Sequence, residues 1–322
     1  MPAWTQLLAS DPSAPFRHTG ILGPEHRGLA ERNARHAGGR ALEPGHVSLA
    51  LVEGRDVVGG LHAWPNEFES ERFGVRVLRA DGPAFAPGVD REDGARELAS
   101  AVLHAQGPPT LVIASVESGD LSSVVGFQRA GFTVHDSVLT LAMPTRRGSG
   151  DGTRSDPAAD GVSAFCRDEL RVGGAADAGE VDRLAAMAPE MFGSSHFHAD
   201  RRLAAAAADE VYRRWTRAVF AGEWADWMLV ARDDDGSFAS FVAFAIDRRI
   251  EGGPVVLGSS FGFSVPPHGR GFTSRLSARL GDAPADLVTT VVQARNLAQV
   301  NGLQRAGMQV VRSALVMHGW RS

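Results

Sequence analysis

Two kinds of hydrophobic pattern alternate along this chain. Short β-branched runs at 111–116 (LVIASV) and 287–292 (LVTTVV) are typical of buried strands. Each run is followed by a segment in which Leu and Val recur at helical spacing, with Asp120 or Asn296 placed to cap its start and a glycine placed to end it. A second apolar strand pattern closes each segment. The predicted unit is therefore strand, short helix, strand, and it occurs twice.

The two units are copies of one another. At a fixed offset of 176 residues, segment 108–141 aligns with segment 284–317 without a gap, and 14 of 34 positions are identical. This offset is far longer than the period of about 20–50 residues that marks solenoid arrays. The chain therefore contains one whole domain twice.

The remaining patterns complete each copy. Alternating runs at 46–64 and 227–246 each predict a β-hairpin, and 255–265 predicts a further strand. Segments 95–107 and 266–284 predict amphipathic helices, the second after a glycine-rich turn. We expect an α/β (α+β) fold in which each copy is a mixed, mostly antiparallel sheet flanked by helices.

One segment predicts a flexible linker. Residues 144–161 (PTRRGSGDGTRSDPAADG) are rich in Gly, Pro, Ser and Asp and almost lack large apolar side chains. They separate residues 1–143 from residues 162–322, and each part is long enough to bury a core of its own. We predict two domains joined by this linker.

Composition narrows the function classes. The chain has 322 residues and a net charge of −5, which disfavours a nucleic-acid or anionic-membrane partner. All 33 basic residues are Arg, which excludes a Schiff-base or P-loop lysine. The single cysteine, Cys166, cannot form an internal disulfide, and no leader peptide or long apolar run is visible, so we expect a cytoplasmic protein. A homodimer is left open.

The strongest candidate for chemistry is a glycine-rich turn between a predicted strand and a predicted helix. Residues 268–274 read HGRGFTS. Glycines let the backbone approach a phosphate closely, and the N–H groups and dipole of a helix N-terminus favour an anion. This stretch alone is equally well a turn that binds nothing.

The order of elements around this turn resembles the GCN5-related N-acetyltransferase (GNAT) family. The family loop Arg/Gln-x-x-Gly-x-Gly/Ala falls on His268, Gly271 and Thr273, of which the first and last depart from the pattern. The resemblance implies that acetyl-CoA is the co-substrate and that no metal is needed. The residues it places on acetyl-CoA are Val265, His268, Gly269, Arg270, Gly271, Phe272, Thr273, Ser274 and Asn296.

A narrower resemblance concerns the acceptor. Residues 195–200 (SHFHAD) and 211–215 (VYRRW) are similar to the S-R-F-H-x-D-P … L-Y-x-x-W pattern of dTDP-fucosamine N-acetyltransferases, and 66–75 loosely resembles their W-D-S-x-F-F-G segment. This implies N-acetylation of a small primary amine, most simply an amino sugar or a nucleotide-linked amino sugar. The alternatives are another small amine, as in mycothiol synthesis, and a catalytically silent acyl-CoA-binding protein.

The candidate catalytic residues are His198, Ser260 and Leu303. Histidine is the side chain whose unperturbed pKa lies nearest neutral pH, so His198 and His196 are the candidates for the general base, of which we list His198. A water relayed to the backbone or to Ser260 is the other route for the proton. The tyrosine that family members use to protonate the departing thiolate is replaced by Leu303. Asp200 either orients His198 or caps the helix that follows it. No third ligand has suitable spacing for a metal.

The first copy lacks the phosphate turn. Its counterpart, residues 89–98 (VDREDGAREL), surrounds one glycine with carboxylates that would repel a pyrophosphate. We predict that residues 1–143 form a degenerate GNAT-like domain without cofactor and that residues 162–322 bind acetyl-CoA.

Overall fold

The computed structural model of the chain describes residues 45–146, 162–246, 255–266 and 275–321. The strands are β1 (Val47–Glu53), β2 (Asp56–Pro65), β3 (Arg76–Asp81), β4 (Ala84–Phe85), β5 (Thr110–Glu117), β6 (Thr133–Pro144), β7 (Val162–Cys166), β8 (Trp227–Arg232), β9 (Phe238–Ile246), β10 (Val256–Ser264), β11 (Leu287–Gln293) and β12 (Gln309–Arg321). The helices are α1 (Glu67–Phe73), α2 (Arg91–His104), α3 (Leu121–Arg129), α4 (Arg167–Arg171), α5 (Ala178–Phe192), α6 (His196–Ala199), α7 (Ala205–Phe220) and α8 (Leu297–Arg305). Residues 275–278 are also helical.

Local signals set the ends of the repeated helices. The side chain of Asp120 accepts the Ser123 N–H at the start of α3, and Asn296 accepts the Gln299 N–H at the start of α8. A left-handed glycine follows each helix, Gly131 after α3 and Gly307 after α8. These caps, both hairpins and all the strands of the repeated units confirm the sequence predictions.

The strands join into one sheet in the order β1-β2-β3-β5-β12-β6-β11-β10-β9-β8-β7, with β4 beside β2. The order shows that the two copies exchange their last strands. The last strand of the first copy, β6, pairs with β11 of the second copy, and β12 pairs with β5 of the first. The predicted mixed, mostly antiparallel sheet is confirmed, but each copy completes the sheet of the other.

The exchange follows the sequence repeat through an approximate two-fold relation. In the central β6–β12 ladder, Val138 pairs with Ala314, its own counterpart at the offset of 176 residues. The flanking ladders obey the same relation, since Val138 pairs with Gln293 and Ala314 pairs with Glu117. The copies therefore meet like the two subunits of a symmetric dimer joined in one chain.

The cores also cross between the copies. One cluster of buried side chains contains Val77, Leu111 and Ile113 from the first copy together with Leu184 and Phe197 from the second. The apolar faces of helices from the second copy thus cover a sheet face that the first copy would otherwise expose. In the part of the chain that the structure describes, no helix is long and apolar enough to cross a membrane.

The domain boundaries remain predictions. Pro144, the first residue of the predicted linker, ends β6, and residues 147–161 lie outside the described residues. Cys166 ends the edge strand β7 and is exposed. Because the copies exchange β6 and β12, a cut at the linker would leave each fragment without one strand of its part of the sheet.

Candidate functional site

The two parallel strand pairs, one in each copy, differ in length. In the first copy, β3 and β5 stay paired over six residues, from Arg76 with Thr110 to Asp81 with Ser115. In the second copy, β10 and β11 are paired over only three residues and the ladder stops at Gly258 with Thr289. Beyond that point the second copy has an opening between its parallel strands where the first copy has a closed sheet.

A β-bulge in β10 accounts for the opening. The register of β10 with β9 shifts between Ser259 and Phe261, which leaves Ser260 as the extra residue. β10 then continues along β9 as far as Ser264, while its pairing with β11 has ended. A Cβ atom on Gly262 would lie 2.5 Å from the backbone oxygen of Phe241, so only glycine permits this close approach to β9.

The opening leads into a cavity of about 1110 Å³. This volume slightly exceeds the range of about 300–1,000 Å³ typical of sites for one small molecule. Both copies supply the walls: Trp64, Arg79, Asp81, Ile113, Ser115 and Asp136 come from the first, and Phe192, His196, Tyr212, Trp215, Ser259, Phe261, Thr290, Val291, Asn296, Leu303 and Arg305 come from the second. The cavity is therefore enclosed by both copies, and neither copy forms it alone.

The predicted cofactor-binding and catalytic residues are distributed unevenly around this cavity. Asn296 and Leu303 line it, and Leu303 is 6% exposed because it also packs against Val300 and Met308. Ser260 belongs to β10, but its side chain lies outside the described part of the structure, as do all of residues 268–274. Val265 follows β10 and donates its N–H to the Ala239 carbonyl.

His198 has its ring nitrogens turned to two polar partners. Its Nδ1 lies 2.9 Å from Ser195 Oγ, and its Nε2 lies 3.0 Å from Asp209 Oδ1. The ring stacks on Tyr212 with the centroids 5.9 Å apart. His198 is not among the side chains that line the cavity, so its assignment as base stays a sequence prediction.

His196, two residues earlier, does line the cavity. Its Nδ1 lies 2.9 Å from Nε2 of His318 on β12, and His318 Nδ1 lies 2.8 Å from Asp200 Oδ2. Trp320 Nε1 donates to the same carboxylate oxygen at 2.8 Å. His318 is fully buried and Asp200 is 4% exposed. A continuous hydrogen-bonded series therefore runs from a buried carboxylate to the cavity, and we call His196, His318 and Asp200 the His-His-Asp series.

Asp200 is not the helix cap that its position suggests. The N-cap of α7 is Ala204, which has no side-chain capping bond, so the capping prediction is wrong. The side chain of Asp200 is drawn into the core because His318 and Trp320 would otherwise bury two N–H groups without an acceptor. The sequence did contain a signal for this, namely a histidine inside the apolar run VMHGW at 316–320.

Burial sets the protonation of the His-His-Asp series. Burial lowers the pKa of His318 to about 4, against the opposing pull of Asp200. Burial, followed by the nearby Arg79 guanidinium, holds the pKa of His196 well below its usual value of 6.5. Hydrogen bonds from His318 and Trp320 outweigh burial and hold the pKa of Asp200 well below its usual range. At neutral pH the carboxylate is charged and both imidazoles are neutral.

Three side chains here lie close enough to share a metal ion, namely His135, Asp200 and His318, whose ligand atoms are within 4.8 Å of one another. Both ring nitrogens of His318 are, however, hydrogen-bonded to Asp200 and His196. His135 stacks on His318 with the ring centroids 4.3 Å apart, and stacked rings direct their nitrogens side by side rather than at one point. The arrangement fits a proton-holding series better than a ligand set.

The only tyrosine of the chain also faces the cavity. Tyr212 is 4% exposed and its hydroxyl is hydrogen-bonded to the Ser195 side chain. Burial raises the pKa of Tyr212, so the phenol stays protonated at any working pH. Leu303 has no group that can donate a proton. Tyr212, which also lines the described part of the cavity, has a hydroxyl that can.

The start of α2 in the first copy is filled by side chains of that copy. Phe85 fills the space beside Gly94 at the start of α2, where a Cβ atom would lie 2.7 Å from its ring. Arg129, the counterpart of Arg305, is paired with Glu92 in the first turn of α2. Arg129 is therefore already paired with a carboxylate of its own copy.

The His-His-Asp series predicts that the protein loses stability in mild acid. Because the folded pKa of His318 lies below the 6.5 of the unfolded chain, the unfolded chain binds more protons between pH 6.5 and about 4. The free energy of unfolding therefore falls as the pH falls through that window, by about 2 kcal/mol at pH 5 from His318 alone. Urea unfolding at pH 7.5 and pH 5 measures the loss, and a smaller loss is expected in His318→Gln. An equal loss in that variant would assign the acid sensitivity to other groups.

Comparison with known proteins identifies the fold. The chain matches no protein-family model and no curated protein. A tandem GNAT protein from the clavulanic acid biosynthesis pathway aligns over 99% of this chain and 94% of its own, with a TM-score of 0.50 and 17% identity. A GCN5-related N-acetyltransferase from Sphaerobacter thermophilus aligns over 99% and 91%, with a TM-score of 0.55 and 14% identity. The chain has the GNAT fold, present twice in tandem, as the sequence resemblance implies.

Proposed function

We propose that this chain is an acyl-CoA-dependent N-acetyltransferase, which transfers an acetyl group from acetyl-CoA to a small primary amine. The observation that supports the proposal best is the opening between β10 and β11 at the edge of a large cavity in a GNAT fold. The amine product and the free thiol require no redox partner, and the transfer needs only a bound thioester, a neutral amine and routes for protons.

The opening suits the pantetheine arm of acetyl-CoA. Beyond Gly258 and Thr289 the ladder between β10 and β11 has ended. Ser259 Oγ lies 2.7 Å from Thr290 Oγ1 and accepts the Val291 N–H at 3.4 Å, and these side-chain bonds take the place of the ladder there. The arm carries two amide groups, which can pair with such a strand edge as an added strand does. At the outer end, the sequence places residues 268–274 on the pyrophosphate, as a helix N-terminus would hold it.

The site serves one co-substrate per chain in this proposal. The first copy keeps its parallel strands paired and pairs Arg129 with Glu92, so in this proposal it contributes a wall instead of a second site. Arg79, Asp81 and Ser115 of that copy line the cavity. Its role is to shape the pocket for the acceptor, and the degenerate, cofactor-free assignment of residues 1–143 is part of the proposal.

The cavity walls favour an amino sugar as the acceptor. Tyr212, Trp215 and Phe261 provide aromatic faces on which the C–H face of a sugar ring can stack, and Asp81 and Asp136 provide acceptors for hydroxyl or ammonium groups. A nucleotide-linked amino sugar is the leading form of this acceptor. The competing functions are transfer to another small amine, as in mycothiol synthesis, and acyl-CoA binding without turnover. We keep the cytoplasm as the expected compartment.

Arg305 is expected to hold a phosphate of the co-substrate. It lines the cavity and has no ionic partner among the residues that the structure describes, whereas its counterpart Arg129 is neutralised by Glu92. Arg305→Ala should raise the KM for acetyl-CoA about tenfold, the value of one charge-assisted hydrogen bond. Arg129→Ala is the matched control and should leave that KM unchanged. Equal effects in the two variants would contradict the assignment.

A thiol-release assay tests the proposed activity. Acetyl-CoA is supplied with free hexosamines, with dTDP- and UDP-linked amino sugars, and with simple alkylamines, and free CoA thiol is measured. The proposal predicts turnover that is fastest with a sugar amine. Binding of acetyl-CoA without turnover on any amine would favour a catalytically silent binding protein. Faster turnover with alkylamines than with sugar amines would contradict an amino sugar as the acceptor.

A further inference from the structure

The hydrogen bonds of the His-His-Asp series have a fixed direction. The Asp200 carboxylate can only accept, so His318 must carry its proton on Nδ1. A neutral imidazole has one proton, so Nε2 of His318 is an acceptor. The Nδ1 of His196, which lies 2.9 Å from that atom, must therefore be the donor.

This direction leaves one atom of His196 available. A neutral His196 with its proton on Nδ1 has an unprotonated Nε2, and no hydrogen-bond partner of Nε2 exists among the described residues. The ring lines the cavity that both copies enclose. The buried carboxylate thus sets, through two rings, which nitrogen of His196 is a base.

We propose that His196 Nε2 is the general base that deprotonates the acceptor amine, and that His318 and Asp200 are positioning residues that hold His196 in the Nδ1–H tautomer. The proposal rests on the proposed function for its reaction. It differs from the sequence prediction, which places the base at His198.

An amine that enters as its ammonium form has one proton too many to attack, and His196 Nε2 accepts that proton. The freed lone pair of the nitrogen forms a C–N bond with the thioester carbonyl carbon, and the C–S bond breaks with its electron pair on sulfur. The second proton of the nitrogen reaches that sulfur, directly or through water, which yields the amide and the CoA thiol. His196 then returns its proton to solvent.

Burial and the charged surroundings keep His196 unprotonated. The groups that face it are Arg79 on β3, His135 on β6, His318 on β12 and His198 on its own helix. Arg79 is held by both carboxylate oxygens of buried Glu69, which fixes its charge in place. These neighbours and burial disfavour the imidazolium, so nearly all of the rings are unprotonated at pH 7 and the acid limb of activity should lie below pH 6.5.

The first arm of the test does not depend on turnover. In protein with 15N-labelled histidine, His196→Ala identifies the His196 signals by their loss. The proposal predicts a protonated Nδ1 and a bare Nε2 for His196 at pH 7, and loss of this single tautomer in Asp200→Asn. A His196 protonated on Nε2 would overturn the proposal, whatever the activity proves to be.

The second arm measures the reaction with acetyl-CoA and D-glucosamine as the probe acceptor. His196→Ala should lower kcat about 10²–10⁴-fold, the usual contribution of a positioned base, with unchanged acetyl-CoA affinity by calorimetry. Added imidazole should restore part of the rate to this variant alone. His104→Ala, which changes an exposed histidine on α2, is the control and should behave as wild type.

One result of the second arm would count against His196, and another would count against the proposed function. If His198→Ala lowers kcat and removes the acid limb of the pH profile, while His196→Ala retains that limb, the base is His198. If acetyl-CoA fails to bind the wild type, the proposed function fails instead, and the tautomer measurement still decides whether Asp200 and His318 position His196.

Discussion

Cut between residues 154 and 155, the chain is expected to yield two fragments that do not fold alone and that fold when they are mixed. Residues 1–154 would lack β12, which pairs with β5 along Thr110–Glu117, and residues 155–322 would lack β6, which pairs with β11. Each fragment would also expose its side of the shared core, including Val77 and Ile113 in the first. Unpaired strand edges and exposed apolar faces of this size favour aggregation.

Circular dichroism and sedimentation measure this result. Each fragment alone should show no cooperative thermal transition, and an equimolar mixture should regain the far-ultraviolet signal and melting of the intact chain as a one-to-one complex. A soluble, cooperatively folded fragment 1–154 would contradict the prediction. It would mean that β6 returns to its own β5 once the second copy is absent, which the repeat makes conceivable because Val138 and Ala314 are counterparts.

Val291→Glu is expected to abolish useful acetyl-CoA binding without unfolding the protein. Val291 lies on β11 just past the last parallel pair, lines the cavity and is 57% exposed. A carboxylate at this position adds bulk and negative charge where an anionic co-substrate must enter. We expect the Kd to rise about 100-fold, which corresponds to roughly 2.7 kcal/mol, while stability stays within about 0.5 kcal/mol, as for other exposed sites.

A second exposed valine provides the control for this variant. Val310 lies on β12, is 43% exposed and is not among the cavity walls. Val310→Glu adds the same charge to the same sheet and should leave the Kd unchanged. If both variants bind acetyl-CoA as wild type does, the co-substrate does not enter between β10 and β11.

The sequence predicts the local structure of this protein well because local signals carry it. The caps at Asp120 and Asn296 and the left-handed Gly131 and Gly307 are encoded within a few residues of where they act. The exchange of β6 and β12 is not encoded in this way. The two strands are copies, so the apolar pattern of either fits β5 or β11, and only the shared core and the connection decide which pairing forms.

In the candidate site, too, the sequence predicts local features but not contacts between distant residues. The sequence singled out both histidines of the segment 195–200, but not which of them faces a cavity, since a one-turn helix sets that by its packing. The partner of His196 lies 122 residues away on β12, and that of His318 lies 118 residues away at Asp200. Spacing along the sequence does not reveal contacts between residues this far apart. The buried His318 was the one available signal, because a buried imidazole requires a partner.

Calorimetric titration of the intact chain with acetyl-CoA tests the central claim most directly. One opening, between β10 and β11, and one closed counterpart, between β3 and β5, predict one site per chain. The same titration of Val291→Glu should show that site lost. Two sites per chain, no binding at all, or undiminished binding in Val291→Glu would contradict an acyl-CoA site confined to the second copy.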